Sequence, residues 1–250
     1  NKEVEGLSQR QIVIKRFIHH RAAMIALFSL ILITVIVNTA LEFKIGPWKI
    51  HGWWKYKVTD IPELRYKECP GQVIGCPTLK LFPPSLGEHP FGQDDIGRDY
   101  LALVMRGAQR SLMVAFVIGV LGGVIGTIVG AISGFYRGMV DSVLMRLVDF
   151  VITVPAIIIG SVIGYRYGNL GAGFLAIYLG LFSWTGLSRL VRGEFLKLRE
   201  MEFVDAARVA GASNRRIIFK HILPNAVGII IVSVTLLMSS AILLEIGRAH

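Results

Sequence analysis

Two stretches of this sequence concentrate the side chains that can ionise, bind ions or recognise a partner. The first covers residues 89–99 and contains His89, Asp94 and Asp99. Carboxylate oxygens are the ligands that calcium prefers, so a calcium loop is one interpretation. The twelve-residue ligand pattern of such a loop is absent, however, and we therefore expect no metal at these residues.

The second stretch covers residues 202–225, the longest markedly polar segment in the second half of the chain. Its residue types predict a short helix over Glu202–Ala210, because all of them are good or tolerable helix formers. Gly211 can end that helix in a left-handed turn. Ser213 can cap a second helix over Asn214–His221. Pro224 then either bends the chain or opens the next helix.

The chemistry of this second stretch is recognition of a macromolecule. Phe203, Ala206, Ala207 and Ala210 recur at helical spacing, which predicts one nearly smooth face. Cations surround that face: Arg208, Arg215, Arg216 and Lys220. Such a surface lets the groove of another protein approach the backbone closely. Two alternatives are a DNA-binding helix-turn-helix and a cytoplasmic loop that only joins two spans.

No local pattern indicates an enzyme or a cofactor site. The sequence has no G-x-x-x-x-G-K-[ST], H-E-x-x-H, G-x-S-x-G or paired Cys-x-x-Cys pattern, and its six histidines are scattered. We expect no catalytic residue, metal or bound cofactor in this chain. Cys69 and Cys76 share one polar segment and can form a disulfide if that segment is extracytoplasmic.

The elements that position these stretches are membrane spans. The chain has 250 residues, of which 53% are hydrophobic and 18% charged, which favours an all-α polytopic membrane helix bundle. Apolar runs of spanning length predict five spans, at residues 22–41, 112–135, 140–165, 170–187 and 224–244. The basic tail 1–21 and the basic loop 189–222 are expected in the cytoplasm, and the loop 42–110 outside. The net charge of +10 is typical of such basic cytoplasmic segments and does not require nucleic acid.

Two predicted spans carry further signals. Four glycines recur every fourth residue in the second span, and they are Gly122, Gly126, Gly130 and Gly134. They predict a helix-packing seam, with pore lining as the alternative. In the third span Pro155 predicts a kink. Arg146 and Asp149 can pair on one helix face, and Asp149 is expected to reach only the cytoplasmic interface.

Residues 205–224 resemble the EAA loop of the membrane subunits of ABC importers. The family pattern is E-A-A, three residues, Gly, nine residues, then I-x-L-P. This sequence matches it at Asp205-Ala206-Ala207, Gly211 and His221-Ile222-Leu223-Pro224. Asp stands where the family has Glu, which keeps the carboxylate, and His stands where it has Ile. The wider run is similar to the dipeptide and oligopeptide branch.

Two more segments support the resemblance, which covers about residues 8–245. The run M-R-L-V-D-F-V-I-T-V-P resembles a family segment of the third span. The run before the second span resembles H-P-[FL]-G-T-D-x-x-G-R-D, with Gln93 in place of Thr. It supplies seven motif residues: His89, Pro90, Gly92, Asp94, Gly97, Arg98 and Asp99. Asp99 is also expected to cap a helix over Tyr100–Gln109.

The resemblance implies a function and a set of partners. It implies half of a translocation pore for dipeptides or oligopeptides in a bacterial inner membrane, with a cytoplasmic N-terminus. The implied partners are ABC ATPase subunits that hold ATP and magnesium, a second homologous permease, an extracytoplasmic solute-binding protein and membrane lipid, but no nucleic acid. The implied ATPase-coupling residues are Glu202, Asp205, Ala206, Ala207, Gly211, Ala212, Ser213, Arg215 and Pro224.

Three expectations concern the extent of the chain and its possible substrates. The family continues into a sixth span, so the chain is expected to be truncated and residues 246–250 to be partly foreign sequence. Related permeases share these motifs, so nickel or another small solute is an alternative substrate. A membrane-tethered DNA-binding regulator is the alternative from another class.

Overall fold

The computed structural model describes residue 15 and residues 17–45, 48–62, 77–79, 87–167 and 171–246. Cys69 and Cys76 lie outside the described residues, as do residues 247–250 and most of the tail 1–21. The predicted disulfide and the predicted foreign tail therefore stay predictions.

Helices make up most of the described chain, which is an all-α polytopic membrane helix bundle. The helices are α1 (Arg21–Ala40), α2 (Tyr100–Tyr136), α3 (Gly138–Thr153), α4 (Ala156–Tyr167), α5 (Gly171–Arg199), α6 (Glu202–Val209), α7 (Asn214–Arg216) and α8 (Leu223–Ile246). A π-helical turn, Ile217–Ile222, joins α7 to α8. One short antiparallel hairpin, β1 (Phe43–Ile45) and β2 (Trp48–Ile50), follows α1, with Phe43 opposite Ile50.

Four helical stretches in the described chain are long and apolar enough to cross a membrane: Arg21–Ala40, Tyr100–Tyr136, Gly173–Arg199 and Asn214–Leu243. The predicted third span, 140–165, is divided into α3 and α4 at Val154 and Pro155. Val154 has extended backbone angles, as expected of a residue before proline. Neither half reaches spanning length alone, so the predicted count of five spans is not confirmed.

The second span also differs from its prediction in extent. The sequence suggests a short helix ending near Gln109 and a separate span over 112–135, but α2 is continuous from Tyr100 to Tyr136. The charged residues Arg106 and Arg110 do not interrupt it, because arginine is a good helix former. The Asp99 carboxylate accepts a hydrogen bond from the Ala102 backbone N–H at 2.8 Å, which caps the helix as predicted.

The chain divides into two compact units, residues 1–109 and residues 110–250. In the first, Ala40, Leu41 and Ala102 are buried together against Trp54 and Met105. Gln109 donates a hydrogen bond to the Val37 carbonyl oxygen at 2.8 Å, which fixes α1 to the start of α2.

In the second unit, α5 is the central helix and contacts α3, α4, α8 and the π-helical turn. The four glycines at intervals of four lie on the face of α2 that meets α5 and α8. A Cβ atom added at Gly130 would lie 2.5 Å from the Ser188 carbonyl oxygen, and one at Gly134 would lie 2.7 Å from that of Arg192. Larger side chains at these positions would force the two backbones apart.

Candidate functional site

Helix α6 begins the segment that the sequence marks as a recognition element. Glu202 and Asp205 lie in its first turn, where their negative charges interact favourably with the helix dipole and stabilise the helix. The helix ends in a Schellman motif: Gly211 N–H bonds to the Arg208 carbonyl at 2.9 Å, and Ala212 N–H bonds to the Ala207 carbonyl at 3.0 Å. Gly211 has φ of +77°, a conformation that favours glycine, as predicted.

The second helix of this segment is shorter than its predicted range, 214–221. Ser213 caps it, since its hydroxyl accepts a hydrogen bond from the Arg216 N–H at 3.4 Å. After three α-helical residues the chain changes to the π-helical turn and enters α8 without a break. Pro224 explains why the turn is π-helical. Proline lacks an N–H group, and its ring would clash with the carbonyl of the residue four positions earlier in an ordinary α-helical turn. The wider π-turn accommodates it, with Leu223 N–H bonding to the Ile218 carbonyl.

Apolar side chains fix this segment, residues 201–222, to the bundle. We call it the docking segment. Val204, Ile217 and Ile222 are fully buried and belong to one apolar cluster with Val191 and Phe195 of α5. Burying side chains of this size stabilises the folded state by about 1.5–3 kcal/mol each. The docking segment is therefore anchored to α5 and α8 by packing.

The opposite side of the docking segment faces outward. Val209 is 91% exposed, Phe219 64% and Met201 44%. Four exposed cations lie in the same segment: Arg208, Arg215, Arg216 and Lys220. Arg208 pairs with the exposed Asp205 at 3.0 Å. We call these outward-facing side chains the docking face.

The predicted single smooth face of α6 is wrong in one respect. Ala207 is buried against the apolar cluster, whereas Ala206 and Ala210 are exposed. The spacing of small residues could not show this, because alanine suits either environment. The bulkier Val204 and the neighbouring π-helical turn determine which side of α6 is buried.

Charged ties connect the helices beside the docking segment. Asp141 of α3 accepts two hydrogen bonds of 2.6 Å from the Arg192 guanidinium of α5, and Ser133 of α2 donates to the same carboxylate. This planar two-point geometry is among the stronger polar contacts in proteins.

Further ties lie along α3 and at the end of α5. Arg137, whose φ is +57°, pairs with Glu200 at 2.6 Å, one residue before the docking segment. Asp149 pairs with Arg189 at 2.5 Å, so it meets a residue of α5 and not the predicted Arg146. The predicted partner was wrong because sequence spacing reveals only neighbours on the same helix.

The seven motif residues before α2 lie in one loop of the first unit. Gln93 of this loop is buried, and the buried His89 and Asp99 contact Tyr56 and Trp54; we call these five residues the histidine–aspartate cluster. The His89 Nδ1 atom lies 2.7 Å from Asp99 Oδ2, and the Trp54 indole N–H donates to Asp99 Oδ1 at 3.0 Å. Gln93 donates to the Gly97 carbonyl at 3.0 Å. Tyr56 stacks on the His89 ring, with centroids 4.5 Å apart. These hydrogen bonds all join groups of the chain to one another, as expected of a structural unit.

Asp94 closes the loop that carries this cluster. Its carboxylate accepts hydrogen bonds from the Arg98 side chain and backbone, both at 2.7 Å, and from the Ile96 N–H at 3.2 Å. Burial by itself raises the pKa of Asp94, but the hydrogen bonds and the charge of Arg98 outweigh it and hold the pKa below its usual value. Gly92 and Gly97, with φ of +83° and +95°, provide the two tight turns. In the described part of the chain, no group of three histidine, cysteine or acidic residues is arranged to hold a metal ion.

The most informative contacts were not visible in the sequence. Trp54 and Tyr56 complete the histidine–aspartate cluster from more than thirty positions upstream, and Arg192 reaches Asp141 across fifty-one positions. No local periodicity records such distant pairs. Their residue types gave one usable signal, since a charged residue in an apolar helix requires a partner.

Comparison with known proteins agrees with this geometry. Residues 126–247, which include the docking segment, match the family described as binding-protein-dependent transport system inner membrane component. The oligopeptide transport system permease protein OppC of Mycobacterium bovis is 34% identical over 244 residues, covering 97% of this chain and 75% of that protein. OppC of Escherichia coli K12 is 38% identical over 244 residues, covering 97% and 72%. The chain therefore belongs to the family of binding-protein-dependent transport system inner membrane components.

Proposed function

We propose that this chain is the membrane-spanning permease subunit of an ATP-driven peptide importer. The observation that carries the proposal is the docking face: exposed Val209 and Phe219, with four cations, on a segment whose other side is buried in the bundle. An apolar patch with a charged rim is typical of a protein-binding site. Its proposed partner is the cytoplasmic ATPase subunit, which holds the ATP and magnesium.

The charged ties offer a route from that partner to the spans. A displacement of the docking segment reaches α5 through Phe195 and α3 through the pair of Asp141 with Arg192. ATP binding can then favour one packing of the bundle over another, which is a shift between conformational populations. The chain would form half of the translocation path, and a second homologous permease the other half.

Peptide is the proposed substrate because the similar permeases are described as oligopeptide permeases. Nickel or another small solute is the alternative within the class, and the binding protein encoded beside this chain would distinguish them. The DNA-binding alternative is disfavoured by the short α7, whose three residues continue through the π-helical turn into a helix of membrane-spanning length. A recognition helix that lies in the major groove belongs instead to a domain that can approach the DNA duplex.

Val209→Asp tests the proposal. The side chain is almost fully exposed, so the change leaves the bundle intact but places a carboxylate in the interface. Losing an apolar contact and burying a charge should reduce recovery of the ATPase subunits with the tagged permease by at least about tenfold. Peptide uptake should fall equally. Quantitative mass spectrometry of detergent-purified complexes measures the first effect.

Ile61→Asp is the matched control. Ile61 is also exposed, at 66%, and lies outside the docking segment. This variant should recover the ATPase subunits normally. Normal recovery and uptake with Val209→Asp would overturn the proposed docking role. A wild-type chain that purifies without any ATPase would overturn the importer itself.

A further inference from the structure

Residues 51–58 present two different faces. Their exposure alternates along the chain: His51, Trp53, Lys55 and Lys57 are exposed, and the residues between them are half-buried. Alternation of this kind is typical of an extended segment with one anchored side. On the anchored side, Trp54 bonds to Asp99, Tyr56 stacks on His89, and Val58 packs against the apolar residues of the first unit.

Residues 51–58, from both of their sides, line an open cavity of about 1130 Å³. Three cations and one carboxylate contribute to its wall: Lys55, Lys57, Arg106 and Glu42. Lys57 lies 3.1 Å from Glu42, and Arg106 donates one hydrogen bond to Gln109 at 3.1 Å. An arginine has five N–H donors, so this bond leaves Arg106 able to contact an anion as well.

The cavity lies at the end of a membrane-spanning helix. The Trp53 and Trp54 backbone N–H groups donate to the Thr39 and Ala40 carbonyls of α1, at 3.2 and 2.9 Å. A Cβ atom at Gly52 would collide with the Ala40 carbonyl, so glycine permits this close crossing. Helix α1 has twenty residues, a length of about 30 Å, which matches the hydrocarbon core of a bilayer. The segment that follows it therefore lies at the depth of the lipid headgroups.

We propose that this cavity binds the phosphate group of an anionic phospholipid. The cations supply the attraction for a phosphate, and the exposed Trp53 indole suits the boundary between hydrocarbon and water. The anchored side of residues 51–58 holds these groups in place before lipid arrives. This site uses no residue of the docking segment and does not depend on the proposed peptide transport.

The test compares two lipids of equal chain length on the full-length purified protein. Native mass spectrometry would count the molecules of short-chain phosphatidylglycerol or phosphatidylcholine that the protein retains. We expect phosphatidylglycerol to be retained about tenfold more strongly. Lys55→Gln with Arg106→Gln should remove that preference, and Lys55→Gln alone should reduce it if the double variant fails to fold. Arg166→Gln, an exposed charge change in α4, should leave it unchanged.

Each other outcome would overturn the proposal. Equal retention of the two lipids would show that no anionic headgroup is selected. Inorganic phosphate that displaces phosphatidylglycerol at equal concentration would identify a free-phosphate site instead. Variants that keep the lipid preference but lose uptake only when the binding protein is present would identify a protein-docking surface.

Discussion

The histidine–aspartate cluster and the docking segment both contain ionisable side chains. The cluster buries them, whereas the docking segment exposes them to water. His89 and Asp99 are 2% and 0% exposed, and they bond to each other, to an indole and to backbone. In the docking segment the apolar Val204 and Ile217 are buried, and the charged side chains face outward. The buried polar residues of the first region hold the fold, whereas the cations of the second region are exposed. Matching a family motif does not separate these roles, but burial and hydrogen bonding do.

Removing the central carboxylate should have the largest effect on this contrast. Asp99→Ala leaves the Trp54 indole N–H, the Ala102 N–H and a His89 ring nitrogen without their acceptor. A buried group left unsatisfied costs about 1–3 kcal/mol, so the first unit should lose at least about 3 kcal/mol of stability. Hydrogen exchange of residues 87–109 in the purified protein would measure the loss.

Asp95→Ala is the control for that variant, because Asp95 is an exposed carboxylate in the same loop. Its exchange should match the wild type. Recovery of ATPase subunits should persist in both variants if the cluster is structural. If Asp99→Ala abolished that recovery with exchange unchanged, the cluster would belong to the recognition surface and the comparison would fail.

A substitution in the docking segment should have a smaller effect on stability but a clear one on transport. Gly211→Val places a β-branched residue at a φ of +77°, which costs about 1–2 kcal/mol locally. A Cβ atom there meets nothing within 4 Å, so the cost is backbone strain and not a collision. We expect peptide uptake to fall by about tenfold while ATP hydrolysis and membrane insertion persist.

Gly228→Val in α8 is the matched control. It is the same substitution in equally open space, but without a positive φ. Uptake should stay near the wild-type level in reconstituted vesicles. Normal coupling of ATP hydrolysis to uptake in Gly211→Val would show that the Schellman turn does not help to transmit the effect of ATP to the spans. The docking segment would then only support the bundle.

These two regions also show what local patterns could reveal. The glycine turn at Gly211 and the caps at Ser213 and Asp99 were predicted from sequence, because each depends on the conformational preference of one residue. The π-helical turn before Pro224 was not, since proline suits either a bend or a helix start. The outward side of α6 was also missed, because it depends on packing against α5 and the π-helical turn.

Long-range polar pairs were the other part that sequence could not supply. Asp141 and Arg192 lie on different helices and form an ion pair. Arg189 of α5 can reach Asp149 of α3 only once the two helices have packed together. Trp54 precedes Asp99 by 45 positions in the sequence, and no local pattern links the two residues. Its indole N–H in fact supports the buried Asp99. The sequence therefore indicates that these polar side chains need partners, but only the packing of the helices determines which partners they have.

The pH dependence of the Asp94 turn provides the smallest and most selective test. Its pKa is lower in the folded chain than in the unfolded chain, so the carboxylate stabilises the fold above its ordinary pKa of 3.8. That contribution should be lost as the pH falls below 3.8 and through the lowered folded value. Asp94→Asn removes the titrating group and keeps the shape. Protection factors of residues 92–99, which are exchange rates corrected for the intrinsic effect of pH, should fall between about pH 5 and about pH 3 more in the wild type than in Asp94→Asn. Residues 201–210 should show no such difference between the two proteins, because the Asp94 carboxylate bonds to Arg98 and Ile96 of its own turn. An equal loss of protection at residues 92–99 in both proteins would mean that Arg98 does not hold this turn through the charge of Asp94.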